Sequence, residues 1–464
     1  MTHVHFIGIG GSGLSAIARL LLESGYTVSG SDRALTPFAD EVRKAHAKVF
    51  IGHHARNIAG ADWVVRSSAV TDDNPEVRAA KRAGIPVYKR ADFLGELMAD
   101  RIGIAIAGTH GKTTTTAMTA LVLHELGRDP SFIVGGVVNN LGVNARAGKG
   151  KPFVIEADEY DNMFLGLKPQ IAVVTSLEHD HPDFFPTYES MVDSFRKFVD
   201  LLPADGTLIV CAEDAGAAGL IPHARKAGKN IVAYSVQGDT TVNSPLWLMA
   251  REVKPNKRGG FDFVVSSNLS GRGLDSVDVS LQVAGEHNVR NALAVFAIVE
   301  LLGLARQEAA DALGEFTGTS RRFQLRGEVN GISIFDDYAH HPTEIRATLA
   351  GARVRYPERR IWAVWQPHTY SRARTLFLDF ARAFKDANEV IVTEVYAARE
   401  AKQDFTSAEI VGAMPHLSAR FIATLPEVTD YLLEHLRPGD VVLVLSAGDA
   451  DQVSADLVKA LQER

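Results

Sequence analysis

The stretch Ile104-Ala105-Ile106-Ala107-Gly108-Thr109-His110-Gly111-Lys112-Thr113-Thr114-Thr115 runs an apolar segment into a glycine-bracketed turn, then opens a helix with Lys and a row of hydroxyls. Backbone N–H groups of such a turn and the positive end of the helix dipole converge on anionic oxygens, so the stretch predicts a phosphate cradle. Lys112 adds a point charge and Thr113 a candidate Mg²⁺ ligand, with Gly108, Thr109, His110, Gly111 and Thr114 completing the nucleotide-facing set. The match to the usual P-loop is partial, because Ile106 stands at the position of its first Gly. As an ordinary strand-to-helix turn, the Gly-Lys-Thr step would waste core-facing positions.

The chain around this stretch has 464 residues, too many for one core, and length alone suggests about three domains. Hydrophobic residues at 46% and charged residues at 23% argue for globular domains over long disorder. A net charge of -7 excludes sequence-independent nucleic-acid binding as the main task, which needs a basic footprint. Cys211 stands alone, so neither an intramolecular disulfide nor a Cys-based zinc site can form, and a cytoplasmic location is expected. No stretch reaches the roughly 20 apolar residues of a membrane helix, and the strand-like start lacks a signal pattern.

Before the cradle, Val4-His5-Phe6-Ile7 leads into Gly8-Ile9-Gly10-Gly11-Ser12-Gly13, and Leu14, Ile17, Ala18, Leu21 and Leu22 follow at helical spacing. A second strand, Thr27-Val28-Ser29-Gly30, ends at Asp32, where a Rossmann fold places its ribose-binding acid. That pattern alone argues for NAD. Physically, though, a G-x-G-x-x-G supplies only close backbone approach to a pyrophosphate, and UDP-sugars carry one too. Gly10, Gly11, Ser12, Gly13 and Asp32 are the candidate ligand residues; Ser67 and Ser68, after Trp63-Val64-Val65, either touch the ligand or cap the next element.

After the cradle, Val154-Ile155-Glu156-Ala157-Asp158-Glu159-Tyr160-Asp161 brings acids to the end of an apolar strand, a poor place for charge without a cation. Glu156 is the metal-ligand candidate there. Ile171-Ala172-Val173-Val174-Thr175 leads into Ser176-Leu177-Glu178-His179-Asp180-His181, and His181 is the second. Two Mg²⁺ ions bridging nucleotide phosphates account for both clusters. Residues 205–285 read as a β-rich appendage on the α/β core, with alternating runs such as Phe261-Asp262-Phe263-Val264-Val265. The next helix opens on His287, Asn288 and Asn291, amides suited to a planar base, although Asn288 as N-cap is the rival reading.

A third α/β unit follows Arg321-Arg322-Phe323. Ile332-Ser333-Ile334-Phe335 runs into Asp336-Asp337-Tyr338-Ala339-His340-His341-Pro342-Thr343-Glu344, and Ile361-Trp362-Ala363-Val364-Trp365 into Gln366-Pro367-His368-Thr369-Tyr370-Ser371-Arg372. Val390-Ile391-Val392 and Val441-Val442-Leu443-Val444-Leu445 also end in polar clusters. Ionisable groups gathered on one edge of a parallel sheet are what a binding crevice needs.

Together and in order, these motifs resemble the Mur ligases over essentially the whole chain. The resemblance implies an α/β protein of three domains: a Rossmann-like UDP-sugar domain over 1–98, a P-loop-like ATPase over 99–324, and a Rossmann-like C-terminal domain over 325–464 that receives the amino acid. It implies an ATP-dependent ligase adding L-alanine to the lactyl carboxylate of UDP-N-acetylmuramate through an acyl phosphate, with ATP and Mg²⁺. Lys112 and Thr113 would face the β/γ-phosphates; Thr113, Glu156 and His181 would hold metal; His287, Asn291, Arg322 and Asp337 would grip ATP. His341, His368 and Arg372 would position the amino acid and the reacting phosphate, so that Lys112, His181, His341 and Arg372 form the catalytic set. The segment 318–322 is the expected hinge. The expected partners are the two substrates, with no nucleic acid, no membrane and a monomer or weak homodimer.

The chain departs from the family pattern at Ser176, Thr369 and Ser446, and Thr369 bears on amino-acid choice. Three alternatives stay open: the branch that joins a whole tripeptide to the same sugar nucleotide, an NAD-dependent oxidoreductase, and a non-catalytic nucleotide-binding module. The first is disfavoured by Gln366-Pro367-His368 and Asp337-Tyr338-Ala339. The oxidoreductase leaves Lys112, Glu156 and His181 without a role, and the presence of Lys112 together with both metal-ligand candidates speaks against the module.

Overall fold

The computed structural model describes residues 1–236, 244–269 and 276–463, with Ser12 described by its backbone alone. Among the described residues three sheets follow one another along the chain. In the first, the strands lie in the order Lys48–Ile51, Thr27–Asp32, His3–Ile7, Trp63–Arg66 and Val87–Lys89, all parallel. The winding reverses between His3–Ile7 and Trp63–Arg66, so a crevice opens beyond their carboxyl ends.

The second sheet has ten strands. From Leu246–Pro255 through Asn230–Val236, Thr207–Cys211, Ile171–Val174, Ile102–Ala107 and Pro152–Glu156 to Ser131–Val138 they run parallel. Antiparallel strands close both edges: Phe261–Ser267 and Ser276–Ser280 on one side, Val143–Arg146 on the other. The β-rich appendage is therefore an edge extension, and Thr207–Cys211 and Asn230–Val236 within it belong to the parallel core itself. Helices Lys112–Glu125 and His287–Leu301 are buried on most sides, their apolar residues sharing one core cluster beneath this sheet.

The third sheet runs Gln324–Val329, Ile332–Asp337, Val441–Leu445, Ile361–Trp365, Glu389–Val392 and Ala419–Phe421, with only the first strand antiparallel.

The two junctions between these units differ in chemistry. Leu14, Ile17 and Phe93 of the first unit share one continuous apolar cluster with Ile133, Phe164 and Phe195 of the second. Helix Arg90–Met98 lies so close to the turn Tyr160–Gly166 that a Cβ on Gly95 would sit 2.1 Å from the Gly166 carbonyl oxygen. The third unit keeps its own two clusters, all from Phe323 onward, and meets the second largely through charged side chains. The chain crosses between them over Arg321 and Phe323, whose φ angles of 57° and 47° turn it sharply. Residues just before are tied to the central sheet, since Ser320 N–H donates to Val137 O at 2.9 Å and its Oγ accepts from Val137 N–H at 3.0 Å.

Candidate active site

The cradle forms where Ile102–Ala107 ends. Gly108 and Gly111 have φ of 133° and 81°, values that L side chains rarely adopt, and Gly111 caps helix Lys112–Glu125. A Cβ on Gly111 would come within 2.7 Å of Asn291 Oδ1, so the turn is fitted against the second buried helix. Thr109 Oγ1 donates to Glu178 O at 3.0 Å, and Ser176, one of the family departures, accepts His110 N–H at 3.0 Å. Lys112 Nζ lies on the carbonyls of Gly108 and Thr109 and 2.9 Å from Glu159.

Glu159 is fully buried. Burial pushes its pKa up; burial also works against the charge on Lys112, yet Glu159, Asp158 and Glu156 together outweigh it and raise the Lys112 pKa. The ammonium is thus charged and aimed along the turn. Thr113 Oγ1 donates to Glu156 Oε1 at 3.0 Å, while Gly135 N–H donates to Oε2 at 2.6 Å. His181, at φ 53°, places Nε2 3.7 Å from Glu159. A hydroxyl, two carboxylates and an imidazole thus stand at the ends of adjacent strands, and Mg²⁺ accepts such oxygen ligands.

The third unit closes over this turn. His110 hydrogen-bonds to both Glu178 and Glu344, the second at 3.2 Å. Burial opposes its charge, but those two carboxylates carry its pKa up to about 9. His341 packs on the His110 ring at 4.7 Å between centroids, caps helix Pro342–Arg355 and has an Nε2 with no protein partner. Arg322 lies 3.6 Å from Glu344. Asp337 is pushed up to about 6 by burial, while its oxygens accept N–H groups of Phe323 and Ala339.

A cavity of about 670 Å³ between the second and third units is lined by His110, Gly111, Thr113, Thr114, His287, Asn291, Arg322 and Asp337. Eight sequence-predicted nucleotide residues therefore share one space; Gly108, Thr109 and Lys112 form its adjoining turn. His287 is kept neutral, its pKa lowered to about 4 by burial and then by Arg290 and Arg322. The N-cap of its helix is Glu286; Asn288 instead donates to Ala284 O at 2.7 Å and accepts from Asn291 at 3.0 Å, so the capping alternative fails.

Gly10, Gly11, Ser12, Gly13, Asp32, Ser67 and Ser68 stand apart, at the crevice of the first sheet. Asp32 Oδ2 accepts Gly10 N–H at 2.8 Å, and an added Cβ on Gly8 would sit 3.1 Å from Ser67 Cβ. Neither Ser67 nor Ser68 caps helix Pro75–Arg82, whose cap is Asn74. Arg90 connects the two regions: its guanidinium abuts Gly13 and feels the charges of Asp158 and Glu156. The sequence offered no signal for Arg90. Glu159, Glu178 and Glu344 stood inside quoted motifs, but their cation partners come from elsewhere in the chain.

His368 and Arg372 sit at the third-sheet edge facing His181. Thr369 holds a φ of 64°, and its hydroxyl accepts Arg372 N–H at 3.4 Å, capping helix Tyr370–Thr375. Ser446 donates to Gln366 Oε1 at 2.7 Å and accepts Gly448 N–H at 2.8 Å, so a hydroxyl organises that turn.

Comparison with known proteins matches the Mur ligase family catalytic domain over residues 3–102, the Mur ligase middle domain over 106–299 and the Mur ligase glutamate ligase domain over 321–448. UDP-N-acetylmuramate–L-alanine ligase of Desulfosudis oleivorans is 42% identical, covering 100% of this chain and 99% of its own. Among solved structures, a UDP-N-acetylmuramate-alanine ligase from Thermotoga maritima superposes at TM-score 0.80 with 30% identity over 100% of both chains. A murein peptide ligase from Psychrobacter arcticus superposes at 0.71 with 27% identity over 100% of this chain and 99% of that one. With three matching domains in order, a relative of this identity across the full length, and a phosphate turn that faces its own third unit, the chain belongs to the Mur ligase family.

Proposed function

We infer that this protein is an ATP-dependent ligase that joins L-alanine to the lactyl carboxylate of UDP-N-acetylmuramate, giving the amide, ADP and phosphate. The full-length 42% identity to a UDP-N-acetylmuramate–L-alanine ligase carries this reading. In it, residues 1–98 hold the UDP-sugar, with the pyrophosphate against Gly10, Gly11, Ser12 and Gly13 and with Asp32, Ser67 and Ser68 around it. Residues 99–324 hold ATP, and 325–464 deliver the amino acid. No described helix is long and apolar enough to cross a membrane, and we place the enzyme in the cytoplasm as a monomer or weak homodimer.

A carboxylate resists attack by an amine, so it first takes the γ-phosphoryl group and becomes an acyl phosphate; the amine then displaces phosphate. Lys112 neutralises the crowded phosphate oxygens, helped by backbone N–H groups of the turn. Thr113, Glu156 and His181 would hold Mg²⁺, which when bound offsets charge on the β- and γ-oxygens. His287 and Asn291 fit the base, and Arg322 and Asp337 reach the nucleotide from the third unit. His341 Nε2, buried without a partner, would meet a reacting oxygen. Docking of the third unit keeps water from the acyl phosphate.

Phosphate release from ATP, measured with UDP-N-acetylmuramate and, in turn, alanine, glycine, serine and the tripeptide, tests the assignment. Alanine-dependent release with formation of the amide is the expected result. Release with the tripeptide alone would move the protein to the other branch.

A further inference from the structure

Arg372, buried to 3% exposure, spends its whole guanidinium on the chain. Of its five N–H groups, Nε–H donates to Asp180 Oδ1 at 2.8 Å and Nη2 reaches the same oxygen at 2.7 Å. Nη2 also faces His181 Nδ1 at 3.5 Å, and Nη1 faces His368 Nδ1 at 3.0 Å and His368 O at 3.4 Å. Asp180, 4% exposed, is equally engaged, since its Oδ1 also accepts the His181 backbone N–H at 2.7 Å.

We propose that Arg372 and Asp180 are positioning residues of the proposed ligase: a buried strut across the junction of the second and third units that orients His368 on one side and His181 on the other. This rests on the functional reading above and changes one part of it, because Arg372 then acts through His368 and not by touching the amino acid.

Three observations point the same way. Both charges are removed from water, where each needs the other, so separating the units would expose both and docking is all-or-none at this point. Asp180 Oδ1 holds the backbone of His181 at its positive φ, so the carboxylate that receives the third unit also sets the imidazole beside the phosphate turn. Thr369 Oγ1 and its strained backbone start the helix that presents Arg372, and Thr369 N–H donates to Tyr396 O at 3.0 Å, fixing the base of the strut. The other junction pairs lie nearer solvent: Arg399, which pairs with Asp183, is 50% exposed, and His110, which pairs with Glu344, is 17% exposed.

The experiment compares Asp180→Asn, Arg372→Met and the double variant in the full chain, measuring kcat, KM for each substrate, binding of a non-hydrolysable ATP analogue, and compaction by small-angle scattering. A strut predicts that each single change lowers kcat by about 10²-fold, the scale of a small misplacement of catalytic groups. The double variant is then no worse than either single one, and KM for ATP and the UDP-sugar stay within about threefold because neither residue lines the nucleotide cavity or the first-sheet turn. Scattering with analogue and UDP-sugar present shows the wild type compact and the variants more open. Multiplying losses in the double variant, or a loss seen only as a raised KM for alanine in Arg372→Met with Asp180→Asn unaffected, overturns the strut. If Asp180→Asn fails to fold, the length-exchanged pair Asp180→Glu with Arg372→Lys replaces it. Recovery above Arg372→Lys alone supports the strut, and no recovery contradicts it. Absence of alanine addition by the wild type would sink the functional reading instead.

Discussion

The protein contains two glycine-rich turns of the same local design, each ending a parallel strand and opening a helix, and they are built for different charges. At residues 8–13 the neighbours are mild: Asp32 is occupied by Gly10 N–H, and Arg90 lies against Gly13. At residues 108–112 the neighbouring strand ends bring Glu156, Glu159, Glu178 and Asp180, and the third unit adds Glu344. A turn of backbone N–H groups with one guanidinium beside it suits a pyrophosphate at rest. A turn set among carboxylates needs added positive charge to hold one; Lys112 supplies part of it, and the proposed Mg²⁺ would supply the rest for phosphoryl transfer. The helix N-terminus is common to both; the strand ends beside it decide the chemistry.

The comparison breaks most sharply at Lys112. Lys112→Met should lower kcat by at least about 10³-fold, while titration calorimetry finds UDP-N-acetylmuramate affinity within about twofold, because the other turn is intact. Equal loss at both sites would mean the turns are not independent. Next comes Glu156→Gln, for which the expected fall is about 10²-fold with a raised Mg²⁺ requirement, read from rate against Mg²⁺ concentration. Gly10→Ala should act in the opposite compartment. Its Cβ would meet Thr36 Oγ1 at 2.6 Å and Asp32 Oδ2 at 2.8 Å, so KM for the UDP-sugar should rise about tenfold with ATP binding unchanged.

The smallest effect is on pH. His110 has a folded pKa of about 9 against an ordinary 6.5. Glu178 belongs to the same unit as His110, so only the part of this rise due to Glu344 favours docking, and that part is complete below about pH 6.5 and is lost as pH rises through about 9. Scattering of the ligand-free protein should show loosening of the third unit over that window, and His110→Asn should flatten the change.

Much of this was legible in the sequence because each strand end carries its chemistry in a short contiguous text. Thr113 and Glu156, both named from their motifs, lie in hydrogen-bond contact, and the cavity gathers eight of the residues expected to face the nucleotide. The antiparallel edge formed by Phe261–Ser267 and Ser276–Ser280 was visible as alternation, but alternation does not say which sheet a strand joins. Asn288 shows the same limit: a side chain at a helix start can cap or donate backward, and only the packing beneath His287–Leu301 decides. What could not be read were the pairings across units. Arg372 meets Asp180 across 192 residues and His110 meets Glu344 across 234, and nothing in spacing marks either pair. Arg90 was hidden for the same reason, being defined by what it touches at Gly13.

The account turns on the lactyl carboxylate attacking a triphosphate held by the Lys112 turn. Supplying UDP-N-acetylmuramate with heavy oxygen in that carboxylate, together with ATP and alanine, and analysing the released phosphate by mass spectrometry follows the transferred atom directly. One heavy oxygen per phosphate formed is the predicted result, and phosphate free of the label would contradict it.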